Sequence, residues 1–228
     1  MIKMKKSNYI VVLFFIFIWG SQFVIDKAKS SPEKVIKYTK KLEHFSVVVA
    51  QPNSKVWLQA QKANIEYPTY DYTLKKYELT LIPSFGVRND TLFVFASSGE
   101  RERFIGTFYC TEIKSIVGMD HSNISLGYFQ ADTINLKLRC SKFDGNFDFR
   151  ERKHGILTVE ADSSKIEFSS YMYFDQINLN LNRSHLSFIT ARKDTILVSG
   201  TLSNYSRLSI RGWPKMIIAK DKTSYSNL

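Results

Sequence analysis

Two cysteines in 228 residues exclude a disulfide scaffold and an all-cysteine zinc site. Ten Gly and five Pro are too few for a collagen-like or low-complexity chain, and a hydrophobic content of 44% excludes a disordered one. Long apolar runs are missing apart from one near the start, which excludes a multi-span membrane protein. Catalytic signatures are equally scarce. His44, His121, His154 and His185 form no pair at i, i+2 or i, i+4, so there is no metalloprotease helix. No Gly-x-Ser-x-Gly elbow, P-loop or Gly-x-Gly-x-x-Gly turn occurs, and nothing in the sequence calls for a cofactor.

Charge is plentiful but unevenly spread. The formal total is +11, yet residues 1–44 alone hold nine Lys against Asp26, Glu33 and Glu43. The body is therefore close to an ordinary solvated surface, and a nucleic-acid partner is not expected. Basic residues beside an apolar segment suit lipid headgroups better. Lys3, Lys5 and Lys6 precede such a segment, an apolar run over 9–25 broken by Gly20-Ser21-Gln22. It has the layout of a signal sequence, but the residues after Trp19 read Gly20-Ser21-Gln22-Phe23, with no small-x-small cleavage site there and no cysteine for a lipid anchor. The expectation is one N-terminal hydrophobic helix acting as an uncleaved inner-membrane anchor, with the body in the periplasm. A cleaved signal with secretion, or a buried core helix, are the alternatives. Residues 1–8 form a short basic start and 26–44 a Lys-rich spacer.

From Phe45 onward the pattern is strand-like: short runs such as 45–49, 77–82 and 91–95, each bounded by turn formers. A tripeptide of Ser, polar residue and large apolar residue recurs at Ser122, Ser141, Ser164, Ser184 and Ser206, spaced 19, 23, 20 and 22 residues apart. An alternating strand precedes each of the last four: Ile134/Leu136/Leu138, Leu157/Val159/Ala161, Ile177/Leu179/Leu181 and Ile196/Val198/Gly200. A second strand follows, and Ser54-Lys55-Val56 looks like an earlier copy. A unit of about 20 residues with two short strands cannot bury a face alone, so neighbours must stack. An all-β solenoid over 45–220 is predicted, with 221–228 as a tail; a β-sandwich is the alternative.

These residues resemble the Bacteroidetes family of putative auto-transporter adhesins with a head GIN domain. The likeness lies in Phe45-Ser46-Val47-Val48-Val49, in Asn89-Asp90-Thr91-Leu92-Phe93-Val94, in Ile113-Lys114-Ser115-Ile116-Val117-Gly118 and in the repeated serine turns, and it spans 45–219. The resemblance implies a right-handed β-helix, a cell-envelope location, a role in adhesion and no catalytic residues. Family turns are commonly Gly-Ser-Gly, whereas here the residues before the serines are His121, Cys140, Ser163, Arg183 and Tyr205. The turns are accordingly expected to depend less on positive φ at Gly.

Candidate site residues are few. Tyr171 and Tyr173 are either sugar-stacking contacts or core residues of a return segment. Asn178, Asn180 and Asn182 alternate with Ile177, Leu179 and Leu181 and so form an outward polar row. Ser122, Ser141, Ser164, Ser184 and Ser206 are structural turn residues. Stacking in register sets Lys137 opposite Glu160 and Arg139 opposite Asp162. Asp144 and Asp148 bracket a Gly-Asn pair, too little for a calcium loop. His121 and His185 read as turn residues, and Trp213-Pro214 as a cap. Cys110 and Cys140 are out of step with the period and read as separate thiols, one at least buried. The function expected is a non-catalytic envelope module for binding, adhesion or scaffolding, its partner an envelope protein or glycan. A polysaccharide-active β-helix lyase or hydrolase, or a protein-binding signalling component, are the rivals.

Overall fold

The computed structural model describes residues 35–60, 66–75, 84–96, 106–129, 132–147, 155–172, 174–190, 196–212 and 214–227. Within them the chain forms strands. The first are β1 (Val35–Lys41), β2 (Val47–Ala50), β3 (Lys55–Ala60), β4 (Thr69–Lys75), β5 (Phe85–Arg88), β6 (Thr91–Val94) and β7 (Gly106–Cys110). Six strand–turn–strand units follow. They are β8 (Ser115–Gly118) with β9 (Asn123–Phe129), β10 (Thr133–Arg139) with β11 (Lys142–Phe147), and β12 (Ile156–Asp162) with β13 (Lys165–Met172). Then come β14 (Gln176–Asn182) with β15 (His185–Thr190), β16 (Leu197–Ser203) with β17 (Arg207–Arg211), and β18 (Lys215–Lys220) with β19 (Tyr225–Asn227).

The first strand of each unit pairs in parallel with the first strand of the next, and the second with the second. Two sheets result, sharing one core. The register aligns Leu136, Val159, Leu179 and Gly200 across one sheet, and Phe143, Ile166, Leu186 and Leu208 across the other. Apart from Gly200 these residues are buried, each side chain contributing about 1.5–3 kcal/mol. Parallel pairing between successive coils is incompatible with an antiparallel sandwich, so the fold is a β-solenoid.

Coil order departs from chain order at one end. β2 lies between β8 and β6, and β3 between β9 and β7, so the Ser54 coil stacks directly on the Ser122 coil. The intervening chain makes a further coil, β6 and β7, on the far side, and closes it with antiparallel strands. β1 pairs with β4, and β5 turns into β6 through Asn89 and Asp90, both at positive φ as a two-residue hairpin requires. Aromatic rings fill this cap: Tyr70 stands 4.5 Å from Phe108 and 4.8 Å from Phe85 between ring centres.

Two boundaries move. The spacer expected over 26–44 contains β1, because Ile36, Tyr38 and Lys40 pair with Leu74, Tyr72 and Tyr70. The tail expected over 221–228 contains β19, whose Tyr225 and Ser226 pair with Arg207 and Leu208. The apolar segment 9–25, the run 77–82, His154, Asp148 and Trp213 lie outside the described residues. Among the described residues no helix is long and apolar enough to cross a membrane.

Gly200 holds a core position but cannot be replaced by a core side chain. Its φ is +139°, and a Cβ there would sit 1.9 Å from the carbonyl oxygen of Leu179 on the adjacent coil. Gly200→Ala is expected to cost about 3 kcal/mol or more, a melting-temperature drop of roughly 6–12 °C. Thermal unfolding followed by circular dichroism checks this; an unchanged midpoint would show that the coil spacing can relax.

Candidate functional site

The site grows out of the turn between the two strands of each coil. There the chain must reverse from one sheet to the other, leaving backbone N–H groups with no strand partner. A serine answers this need in coil after coil. Ser141 N–H donates to Ser164 Oγ at 3.1 Å, Ser164 N–H to Ser184 Oγ at 3.1 Å, and Ser184 N–H to Ser206 Oγ at 3.2 Å. Ser206 N–H continues the chain to Ser224 Oγ at 3.1 Å. The hydroxyls donate in their turn to carbonyl oxygens of Arg139, Asp162, Asn182 and Ser203 at 2.6–2.8 Å. Ser122 Oγ joins by donating to Ser141 Oγ at 3.0 Å. All these serines are buried. Ser54 occupies the matching corner, but its Oγ has no hydrogen-bond partner among the described residues.

The residue before each serine shows how these turns do without glycine. His121, Cys140, Ser163, Arg183 and Tyr205 have φ between +48° and +65°. The left-handed conformation is thus retained without glycine, at about 1–2 kcal/mol for each residue. What holds it is stacking: the N–H of His121, Cys140, Ser163 and Arg183 donates to a carbonyl of the next coil at 2.7–3.1 Å.

The residue after each serine opens a strand and faces outward. In register these are Asn123, Lys142, Lys165, His185, Arg207 and Tyr225. Together with the turns they line a groove of about 670 Å³ along the corner of the solenoid. Lys165 is held by Glu167 at 2.8 Å, and Arg183 by Asp162 at 2.9 Å. Arg207 lies over the ring of Tyr225 at 5.1 Å. His185, at the start of β15 and half-buried rather than in a solvated turn, has its basicity lowered by burial and then by Arg207 and Lys165. Tyr205 is 78% exposed and Tyr225 42%. This groove escaped sequence reading, although a basic residue follows four consecutive ladder serines.

No family model matches the chain, and no curated protein does. Solved structures do. The chain is similar to a putative adhesin from Bacteroides fragilis at 9% identity and TM-score 0.44, over 85% of this chain and 95% of that one. A putative adhesin from Parabacteroides merdae aligns at 10% identity and TM-score 0.41, over 86% and 96%. A protein from Parabacteroides distasonis described as a putative lipid binding protein aligns at 8% and 0.40, over 86% and 97%. At such identities the ligand must be read from this chain's own side chains.

The remaining sequence candidates divide. Asn178, Asn180 and Asn182 do face outward, and each is hydrogen-bonded across coils, to Ser199 at 3.0 Å, Thr201 at 3.1 Å and Asp162 at 3.0 Å. Tyr173 lies outside the described residues, and of Tyr171 only the strand position is described. Phe174 beside them is buried in the core. Lys137 pairs with Glu160 at 3.1 Å. Arg139, although in register with Asp162, turns back one coil to Asp120 at 2.7 Å, because Arg183 from the following turn already holds Asp162. Asp144 accepts from Ser169 at 3.3 Å, and no three metal-ligating side chains gather among the described residues. Both cysteines are free; Cys110 ends β7 in the core, where burial raises its thiol pKa, and Cys140 lies in a turn.

The ladder yields a paired expectation. Ser164→Ala strands the Ser141 N–H and should cost about 1–3 kcal/mol. Cys140→Gly should gain up to about 1 kcal/mol by relieving the left-handed turn, after the entropy cost of glycine. Chemical denaturation of both variants checks this; equal midpoints would mean the turns are not where stability is set.

Proposed function

We propose that this chain is a non-catalytic binding module of the cell envelope, serving adhesion or scaffolding, and an outlying member of the head GIN family it resembles. The observation that carries the reading is the chemistry of the corner groove. Its cations and exposed tyrosines suit contact with a ligand, while its ladder serines are engaged as donors to carbonyls and as hydrogen-bond acceptors. A hydroxyl so committed is no nucleophile, and activation would require a base in place of the carbonyl it now serves. The basic start and apolar run support an anchor over 9–25 with the solenoid in the periplasm. The strong preference of parallel crossovers supports right-handed coils. Asn178, Asn180 and Asn182, with Tyr171 and Tyr173, are proposed as a secondary contact surface.

Full-length protein is expected to stay with membranes through alkaline carbonate washing, and protease added to spheroplasts should remove the chain beyond Asp26. The same protein should bind intact cells or glycans without releasing sugar. A soluble product beginning at about residue 22 to 30 would overturn the anchor, and depolymerisation of a bound glycan would overturn the non-catalytic reading.

A further inference from the structure

We propose that the corner groove binds an acidic polysaccharide, its carboxylates seated on the cations of successive coils and its sugar rings against Tyr205 and Tyr225. The proposal rests on the binding-module reading and names the ligand class. Lys142, Lys165, His185 and Arg207 occupy equivalent positions in four consecutive parallel strands, so basic groups recur about every 4.8 Å along the solenoid. Like charges directly opposite one another destabilise a sheet. On the other sheet this chain sets Lys137 against Glu160; in the groove it does the reverse, and no Asp or Glu lines it. Glu167 relieves Lys165, but among the described residues no ion pair holds Lys142 or Arg207. Such a row is matched by an extended polymer with an acid group on each unit.

Two features distinguish a sugar polymer from other polyanions. The groove lining contains no aliphatic side chain, so there is nothing to enter a bilayer. Its tyrosine rings, Tyr205 and Tyr225, are exposed at the end where Arg207 lies; such rings offer a flat face to a sugar and a hydroxyl to its edge. His185 adds a signature. The charged groups facing it are Lys165 and Glu167 from β13 and Arg207 from β17, a net positive surrounding. A carboxylate in the groove offsets that charge, so binding should draw a proton onto His185 and tighten as pH falls through the histidine range.

The test uses full-length protein in detergent, with polygalacturonate as probe and its carboxyl-reduced form, a single-stranded DNA oligomer and phosphatidylglycerol vesicles as comparisons. Saturable, salt-sensitive binding to polygalacturonate is expected, about tenfold or more weaker for the reduced polymer. The Lys142→Ser/Arg207→Ser double variant should lose a similar factor while its melting temperature holds or rises, and Tyr225→Ala should also weaken binding. His185→Gln should abolish the tightening between about pH 8 and about pH 6. Equal binding to the reduced polymer, to DNA or to the vesicles, or an unchanged double variant, would overturn the proposal. Retained binding of those same proteins to intact cells would leave the binding-module reading standing. Shortening of the polymer would instead overturn the non-catalytic reading, and this proposal with it.

Discussion

A backbone N–H donated to the serine hydroxyl of the next coil is the interaction on which the molecule depends. Two stacked parallel sheets satisfy their own strands, but each corner leaves polar groups facing the interior, and an unpaired one costs about 1–3 kcal/mol. The ladder from Ser141 to Ser224 pairs them once per coil. Because a hydroxyl both accepts and donates, it also fixes the carbonyl two or three residues earlier, and hence the left-handed residue between. Turn conformation and coil stacking are therefore one constraint. The residue after each serine inherits its position from that constraint, which is how separated basic residues come to share one row.

Much of this was legible because alternation and period survive in the side chains. Ile134, Leu136 and Leu138 announce an inward face, and Ser141, Ser164 and Ser184 give the register that the strands adopt. Where the chemistry of one position changed, the reading failed. The second strand of the last coil escaped because Ser226 stands where Leu208 stands in the coil before. The left-handed turns escaped because no glycine marks them; stacking bonds hold His121 and Arg183 there instead. Arg139 went to Asp120 because two carboxylates lay within reach and a rival guanidinium decided between them, a choice set by three coils together. The adjacency of the Ser54 and Ser122 coils was hidden for another reason: the chain leaves to build the cap before returning.

The two ends of the solenoid are treated differently. At one, antiparallel strands and the rings of Tyr70, Phe85 and Phe108 cover the core. At the other, β18 and β19 are edge strands, with Met216 and Ile218 only partly buried. Lys215 and Lys220 flank that edge, the kind of charge that discourages strand addition by another chain.

The corner groove lies on the structure's strongest feature and contains its clearest electrostatic conflict. Its floor is the serine ladder, so a ligand lying along it meets a surface with little freedom to adjust, which lowers the ordering cost of binding. Its rim sets cation beside cation where the register would equally admit a Lys–Glu alternation, as Lys137 and Glu160 demonstrate on the other sheet. A fold selected for stability alone would have taken that alternation. Rigid support beneath a row of cations only partly offset, at Lys165 by Glu167, is the arrangement that would suit a partner carrying the opposite charge.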